Sequence, residues 1–398
     1  MKLILYFADG FAWHYLGQRP FMEDFWRHRR PLETLLGYSS TIMPAIVSGA
    51  PPQETGIWTE YFFEPKSRSA AQRFLSRPRT APVRPLADLL RLILFRATRK
   101  YGYMAEHRLR LPIEISHLFS RHEIRYDEFP AIALPVPTLA DVFRERGVRY
   151  EFRYVKGGLK SSEELRHLEA SIEDVDAFFY YDPALDGGGH VAGASAEALS
   201  APIDEIERFL PAAWDLISAH GAEPELLLFS DHGMTDVEDE FDLFALLEDF
   251  RLGPDYVVFM DSTFARFWFP SEEKRKAVLE ALANVPGHWL TDEDRKRYGV
   301  DFPDRRMYGE EVLVADEGVI FHPNYFAPRF LGRRGYPDRA THGYLPSAPS
   351  TEGVFFYRGN RWDGEPPTPF PVTSIFDAVV SVLDGDPRRA GVTHGPAD

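Results

Sequence analysis

The sequence of 398 residues contains no cysteine. This absence excludes disulfide bonds, a thiolate nucleophile and any zinc site built on cysteine. The first residues also enter a strand-like run without a signal-peptide cleavage pattern, and together with the absence of disulfides this leads us to expect a cytoplasmic protein. No part of the sequence approaches the ~20 consecutive apolar residues that a membrane-spanning helix needs.

Basic residues are scarce: 45 Lys and Arg stand against 61 Asp and Glu, for a net charge of −16. General nucleic-acid binding needs a basic surface, so we expect no nucleic-acid partner. The basic residues are also unevenly placed, because residues 66–110 contain twelve Lys or Arg and only two acidic residues.

Residues 60–135 are rich in proline, arginine and aromatic pairs, and we interpret them as an insertion that forms a lid or a docking surface. A basic amphipathic helix is predicted at residues 88–100. Three interpretations stay open: peripheral contact of residues 86–110 with an anionic membrane, a cap over an anionic substrate, or a solvated helix packed on the acidic core.

Strand-like and helical segments alternate over much of the remaining chain. Apolar runs typical of strands occur at residues 2–8, 148–154, 177–181 and 226–229, with helical stretches at 137–146 and 194–220. This alternation predicts an α/β fold with a mostly parallel sheet covered by helices. Residues 238–326 instead combine short β-rich runs with one charged helix, which predicts a small inserted α+β subdomain. The predicted core therefore comprises residues 1–59, 136–237 and 327–398.

Metal-ligating side chains occur in four turns of this predicted core. Asp9 follows the first strand, Asp231 and His232 follow the strand at 226–229, and His342 precedes a glycine. Asp186 and His190 flank three glycines, whose backbone freedom could let both side chains converge on one point. Each residue alone has an ordinary explanation, such as a helix-capping Asp or a loop His. Three Asp and three His together match two three-ligand divalent sites.

Three hydroxyl residues, Ser39, Ser40 and Thr41, precede an apolar helical stretch. The ordinary interpretation is a serine that caps the helix. The functional alternative uses the same physics, because the free N–H groups and positive dipole end of a helix N-terminus favour phosphate. A metal ion on such a hydroxyl would make it a nucleophile at neutral pH.

Five motifs in this order resemble the alkaline phosphatase superfamily, most closely its type I phosphodiesterase/nucleotide pyrophosphatase branch. They are Asp9-Gly10, the segment Ser48-Gly-Ala-Pro-Pro-Gln-Glu-Thr-Gly-Ile57, Asp182-Pro183 with Asp186-Gly-Gly-Gly-His190, Ser230-Asp231-His232-Gly233-Met234, and His342-Gly343-Tyr344. The resemblance implies an alkaline-phosphatase-like, doubly wound sheet. It also implies that Asp186, His190 and His342 hold one metal ion, and that Asp9, Asp231 and His232 hold the other. Zinc is the expected metal and manganese the alternative.

In the family, the nucleophile lies ten residues before the glycine that corresponds here to Gly49. This spacing implies Ser39, with Ser40 and Thr41 as alternatives. We therefore expect a two-metal hydrolase that cleaves a phosphate ester, on a small or lipid-linked molecule, through a phosphoseryl intermediate. Monoester, diester and pyrophosphate substrates and the oligomeric state stay open. The alternatives are a phosphomutase-type phosphotransferase and a non-catalytic descendant that docks to a membrane or a partner.

Overall fold

The computed structural model describes residues 1–66, 111–112, 114–122, 124, 129, 132–326, 338–362 and 364–385. The basic helix predicted at residues 88–100 and the membrane contact predicted for residues 86–110 lie outside the described residues. Within the described ranges, no helix has both the length and the apolar character that crossing a membrane requires.

The strands of the described chain are β1 (Lys2–Ala8), β2 (His28–Glu33), β3 (Tyr61–Phe63), β4 (Phe119–Arg121), β5 (Tyr150–Tyr154), β6 (Ala177–Asp182), β7 (Pro224–Phe229), β8 (Thr235–Asp236), β9 (Asp239–Phe241), β10 (Val257–Met260), β11 (Phe264–Trp268), β12 (Gly287–Trp289), β13 (Glu311–Ala315), β14 (Val319–Phe321), β15 (Ala340–Thr341), β16 (Gly353–Arg358) and β17 (Phe370–Pro371). The α-helices are α1 (Tyr15–Gln18), α2 (Ser39–Ser48), α3 (Pro52–Thr55), α4 (Leu139–Glu145), α5 (Ser161–Ser171), α6 (Ala184–Ala192), α7 (Ser200–Ala219), α8 (Leu243–Leu246), α9 (Glu272–Ala281), α10 (Asp292–Arg297) and α11 (Ser374–Asp384).

A seven-stranded sheet forms the centre of the fold, in the order β17-β2-β16-β7-β1-β6-β5. Strands β5, β6, β1 and β7 pair in parallel, whereas β16 runs antiparallel to both of its neighbours, β7 and β2. The predicted α/β fold with a mostly parallel sheet is therefore confirmed. The parallel strands β7, β1 and β6 lie side by side, so their carboxyl ends share one edge of the sheet.

The side chains of each strand alternate between the two faces of this sheet, so that apolar side chains lie on both faces. Helices cover both faces. On β1, Ile4, Tyr6 and Ala8 pack in one core cluster with the apolar side of α7. Leu3, Leu5 and Phe7 point the other way, into a second cluster with apolar residues of α2, α4 and α11. Strand β1 is therefore buried on both faces, as its uninterrupted apolar sequence predicts.

A second, antiparallel sheet has the order β10-β11-β13-β12 and lies wholly between residues 257 and 315. The strand pair β3 and β4 packs on it, with the ring of Tyr61 5.1 Å from that of Phe259 and the ring of Phe63 5.0 Å from that of Trp268. This arrangement agrees with a separate α+β subdomain, although the predicted domain boundaries stay predictions.

We expect Phe209→Ala to lower the free energy of unfolding by about 3–5 kcal/mol, because it opens a cavity under the central sheet. Phe209 is fully buried in α7, and its ring lies 6.0 Å from that of Tyr6 and 5.0 Å from that of Tyr180. Urea denaturation measures the change. Leu246→Ala removes a side chain from a residue that is 41% exposed and serves as the control; equal losses in both variants would contradict this view of the core.

Candidate active site

The carboxyl ends of β7, β1 and β6 bring three aspartates to one place. Asp231 and Asp9 come within two residues of the ends of β7 and β1, and Asp186 follows the end of β6 by four residues. Hydrogen bonds tie the three segments together: the Asp186 N–H donates to the carbonyl of Asp9 at 2.9 Å, and the Gly10 N–H donates to Oδ1 of Asp231 at 3.3 Å. The expected gathering of functional groups at this edge is thus present in the structure.

Asp186 and His190 converge by a different route from the tight turn that the three glycines suggested. Residues Ala184–Ala192 form the helix α6, in which the i,i+4 spacing puts both side chains on one face. Nε2 of His190 lies 3.2 Å from Oδ1 of Asp186. The prediction of a turn was wrong. Two of the glycines instead allow close packing, because a Cβ on Gly188 would lie 2.7 Å from Leu199 and a Cβ on Gly189 would lie 2.9 Å from Met234.

His342 reaches the site through a short antiparallel pairing of β15 with β8, in which Thr341 lies opposite Thr235. This pairing places His342 beside His232, the residue that follows Asp231. The two imidazole rings stack with centroids 3.6 Å apart and planes inclined by 10°. Nε2 of His342 lies 3.5 Å from Oδ1 of Asp186. All six predicted ligand residues therefore meet in one cluster.

Backbone carbonyls orient two of the three imidazoles. Nδ1 of His190 lies 2.9 Å from the carbonyl oxygen of Ala340, and Nδ1 of His232 lies 2.7 Å from that of Gly233. Because a carbonyl only accepts, each Nδ1 carries a proton, and each Nε2 offers a lone pair when its ring is neutral. This outer hydrogen bond is typical of histidines that ligate metal ions.

The ligand atoms form two three-residue groups, in each of which they lie within 4.8 Å of one another. One group is Asp186, His190 and His342, which is the set predicted for the first metal ion. The other is Asp9, Asp186 and His232, so Asp186 belongs to both groups. Asp231 lies beside the second group, with Oδ2 3.3 Å from Nε2 of His232. The assignment of Asp231 rather than Asp186 to the second ion stays a prediction.

Burial and mutual repulsion shift the ionisation of these carboxyls. Burial and the charges of Asp231 and Asp186 raise the pKa of Asp9 well above its usual value. Burial and Asp186 raise the pKa of Asp231 to about 7. Burial also acts on Asp186, but the neighbouring imidazoles of His190 and His342 outweigh it, and the pKa of this carboxyl is lowered.

The residues present fit divalent metal ions. Oδ1 of Asp9, Oδ1 of Asp186 and Oδ2 of Asp231 are buried and have no hydrogen-bond partner in the described part of the chain. Buried carboxylate oxygens without partners are costly unless a cation neutralises them. Carboxylate oxygens with imidazole nitrogens are a donor set that suits zinc and other divalent transition metals.

Ser39, the predicted nucleophile, is the first residue of α2 and lies at the rim of this cluster. Its Oγ is 3.3 Å from Nε2 of His232. The hydroxyl of Thr41, one of the alternatives, instead donates to the carbonyl of Trp58. Ser40, the other alternative, is buried.

Sequence reasoning did not identify Tyr181, whose hydroxyl donates to Oδ2 of Asp9 at 2.7 Å. It also missed Asp338, whose Oδ2 lies 3.5 Å from Nδ1 of His190. Tyr181 looks like one more apolar strand residue, because its contact with Asp9 depends on the pairing of β6 with β1. The only available signal for Asp338 was that it is an acidic residue four positions before His342.

The fold and the site together define an α/β protein with a candidate two-metal centre at the carboxyl edge of its sheet. A family model described as type I phosphodiesterase/nucleotide pyrophosphatase matches residues 3–345. The chain therefore belongs to this family, within the alkaline phosphatase superfamily, and is a metal-dependent hydrolase that acts on phosphate esters. Both the predicted family and the predicted enzyme class are confirmed.

Solved structures with a similar fold include those of ectonucleotide pyrophosphatase/phosphodiesterase 5. The murine protein, as an inactive variant in complex with AMP, is 16% identical in sequence with a TM-score of 0.63, and the match covers 96% of this chain and 94% of that one. The human protein matches with the same identity, TM-score and coverage. No match is found among curated protein sequences.

We expect Asp231→Asn to stabilise the metal-free protein at about pH 8 and to have little effect at about pH 4. The pKa of Asp231 is higher in the folded protein, at about 7, than its usual value of 3.8, so the folded state loses stability as the pH rises through this interval. Urea denaturation of chelator-treated protein at the two pH values measures the effect. Asp249→Asn, at an exposed position, is the control; an equal effect of Asp231→Asn at both pH values would contradict the argument.

Proposed function

We propose that this protein cleaves its phosphate ester with Ser39 as the nucleophile, through a phosphoseryl intermediate. The observation that carries the proposal is the position of the Ser39 hydroxyl, 3.3 Å from Nε2 of His232 and at the rim of six converging Asp and His side chains. The bond from Thr41 to the carbonyl of Trp58 and the burial of Ser40 leave Ser39 as the best placed of the three hydroxyls.

The residues that would hold two divalent ions are the six predicted ones: Asp9, Asp186, His190, Asp231, His232 and His342. When bound, such ions would supply positive charge that lowers the pKa of a nearby hydroxyl and balances the charge of the phosphate oxygens. We propose zinc, with manganese as the alternative, because the cluster combines three imidazoles with carboxylates.

The reaction requires two displacements at phosphorus. In the first, the Ser39 hydroxyl loses its proton to solvent and its oxygen bonds to phosphorus, while the bond to the leaving-group oxygen breaks and that oxygen gains a proton. In the second, water attacks phosphorus, the bond to Ser39 breaks, and the serine hydroxyl is restored.

The start of α2 can also bind the phosphate. The N–H groups of Ser39 and Ser40 have no hydrogen-bond partner among the described residues. They lie at the positive end of a ten-residue helix, where donors to an anionic oxygen are favourable. We infer that they donate to the phosphate oxygens as negative charge develops there.

We propose a nucleotide-containing diester or pyrophosphate, or another small phosphodiester, as the first substrate class to test. The family of the chain supports this class, as does the AMP bound to the murine relative. A lipid-linked substrate and membrane contact through residues 86–110 stay predictions that depend on residues outside the described ranges. The cytoplasmic location also stays a prediction.

We expect Ser39→Ala to reduce kcat by at least about 10³-fold, because the nucleophile is lost. The variant should keep its fold and its metal content, since all six ligand residues remain. Circular dichroism and elemental analysis check these two properties beside the assay. Ser48→Ala, which removes a hydroxyl from the other end of α2, is the control; full activity of Ser39→Ala would reassign the nucleophile to Ser40 or Thr41.

Elemental analysis of the wild type, paired with hydrolysis of p-nitrophenyl phosphate and bis-p-nitrophenyl phosphate, tests the two-metal centre directly. We expect about two equivalents of metal and a preference for the diester, in agreement with the family. Folded protein that binds neither zinc nor manganese and cleaves neither ester would refute the proposed mechanism.

A further inference from the structure

His342 is held differently from the other two histidines of the site. His190 and His232 each donate a hydrogen bond from Nδ1 to a backbone carbonyl. Nδ1 of His342 is buried and has no hydrogen-bond partner within the described ranges. Its ring is held by packing, between the stacked ring of His232 and the edge-on ring of Tyr38, whose centroid is 5.4 Å away. The orientation of His342 therefore depends on the segments around it.

Thr263 connects these segments from the second sheet. It lies in the turn between β10 and β11 and is fully buried. Its Oγ1 is 3.3 Å from the carbonyl oxygen of His342 and 3.1 Å from that of Gly343. The same Oγ1 lies 2.8 Å from Oη of Tyr38, and the Thr263 N–H donates to that Oη at 3.0 Å. One side chain of the inserted subdomain thus bonds both to the metal-ligand segment and to the residue that precedes Ser39.

The direction of each hydrogen bond in this group follows from its chemistry. A carbonyl oxygen only accepts, so the carbonyls of His342 and Gly343 share the single O–H of Thr263. Oγ1 of Thr263 then accepts from the hydroxyl of Tyr38, which itself accepts from the Thr263 N–H. Each of the three donors in the group therefore has an acceptor.

Gly343 shows how closely the three segments approach. Its φ of +91° is in the region that favours glycine, and a Cβ there would lie 2.8 Å from Oγ1 of Thr263 and 2.8 Å from Cε1 of Tyr38. The turn that bears Thr263 is itself anchored, because the Ala315 N–H of β13 donates to the carbonyl of Thr263 at 2.8 Å. The contact is thus built into the second sheet.

We propose that Thr263 and Tyr38 are positioning residues of the active site. Thr263 fixes the backbone of His342, and Tyr38 couples that backbone to Ser39, so that together they set the distance between a metal ligand and the nucleophile. In this role they orient His342, as the hydrogen bonds from Nδ1 to backbone carbonyls orient His190 and His232. The inference rests on the proposed function, and it makes the inserted sheet a structural part of the metal centre.

The test compares zinc affinity and kinetics in Thr263→Val, Thr263→Ser and Tyr38→Phe. Valine keeps the shape of threonine and removes its hydroxyl, so we expect one of the two zinc equivalents to bind at least about tenfold more weakly, as measured by competition with a chromophoric chelator. We expect kcat to fall more than KM changes. Serine keeps the hydroxyl and should restore zinc affinity close to that of the wild type, and Tyr38→Phe should share the defect.

Thr55→Val is the matched control. Thr55 is also buried, and its hydroxyl also donates to a carbonyl and accepts from a backbone N–H, at Pro52 and Ile57. Equal losses at positions 55 and 263, or wild-type zinc affinity and kcat in Thr263→Val, would overturn the proposal. If Thr263→Val does not fold, Tyr38→Phe decides by the same two readouts.

The design separates this proposal from the proposed function. A wild type that binds no zinc and cleaves no ester refutes both. A wild type that binds two equivalents and cleaves its ester, with variants that match it, refutes only the positioning role.

Discussion

The repulsion among the buried carboxylates of Asp9, Asp186 and Asp231 is the constraint on which the site depends. Parallel pairing of β7, β1 and β6 forces these groups together, and burial together with the neighbouring carboxylate charges raises the pKa values of Asp9 and Asp231. Strand pairing and a core on both sheet faces hold the groups in place. The fold therefore keeps a cluster of carboxyl groups whose ionised form is unfavourable by itself and favourable around cations.

The three histidines complete the site in different ways. His190 lies on the helix that also carries Asp186, His232 directly follows Asp231, and His342 arrives on a separate segment that β15 pairs with β8. The first two are oriented by nearby carbonyls, whereas His342 contacts Thr263, in the turn between β10 and β11 of the second sheet. The second sheet thus reaches the cluster through this turn, although it supplies none of the six predicted ligand side chains.

Much of this site could be predicted from the sequence, because strand ends in α/β folds have a known relation to function. Asp9, Asp231 and His232 each follow an apolar run that could be recognised as a strand. The segment Ala184–Ala192 could not be predicted correctly, because three successive glycines favour a turn by their own propensity. In helix α6, Leu199 and Met234 instead pack where side chains on Gly188 and Gly189 would lie, a contact that only the tertiary structure provides.

The sequence by itself determined the class of fold and pointed to the six Asp and His residues that meet at the sheet edge, since these depend on local hydrophobic pattern and on motifs; the nucleophile stays a prediction. Tertiary structure alone decided which side chains support them. Tyr181 bonds to Asp9 through strand pairing, and Thr263 bonds to Tyr38 and His342 across gaps of 225 and 79 residues. Such contacts leave no periodic or local signal, because hydrogen bonds between distant segments depend on how sheets and turns pack in space.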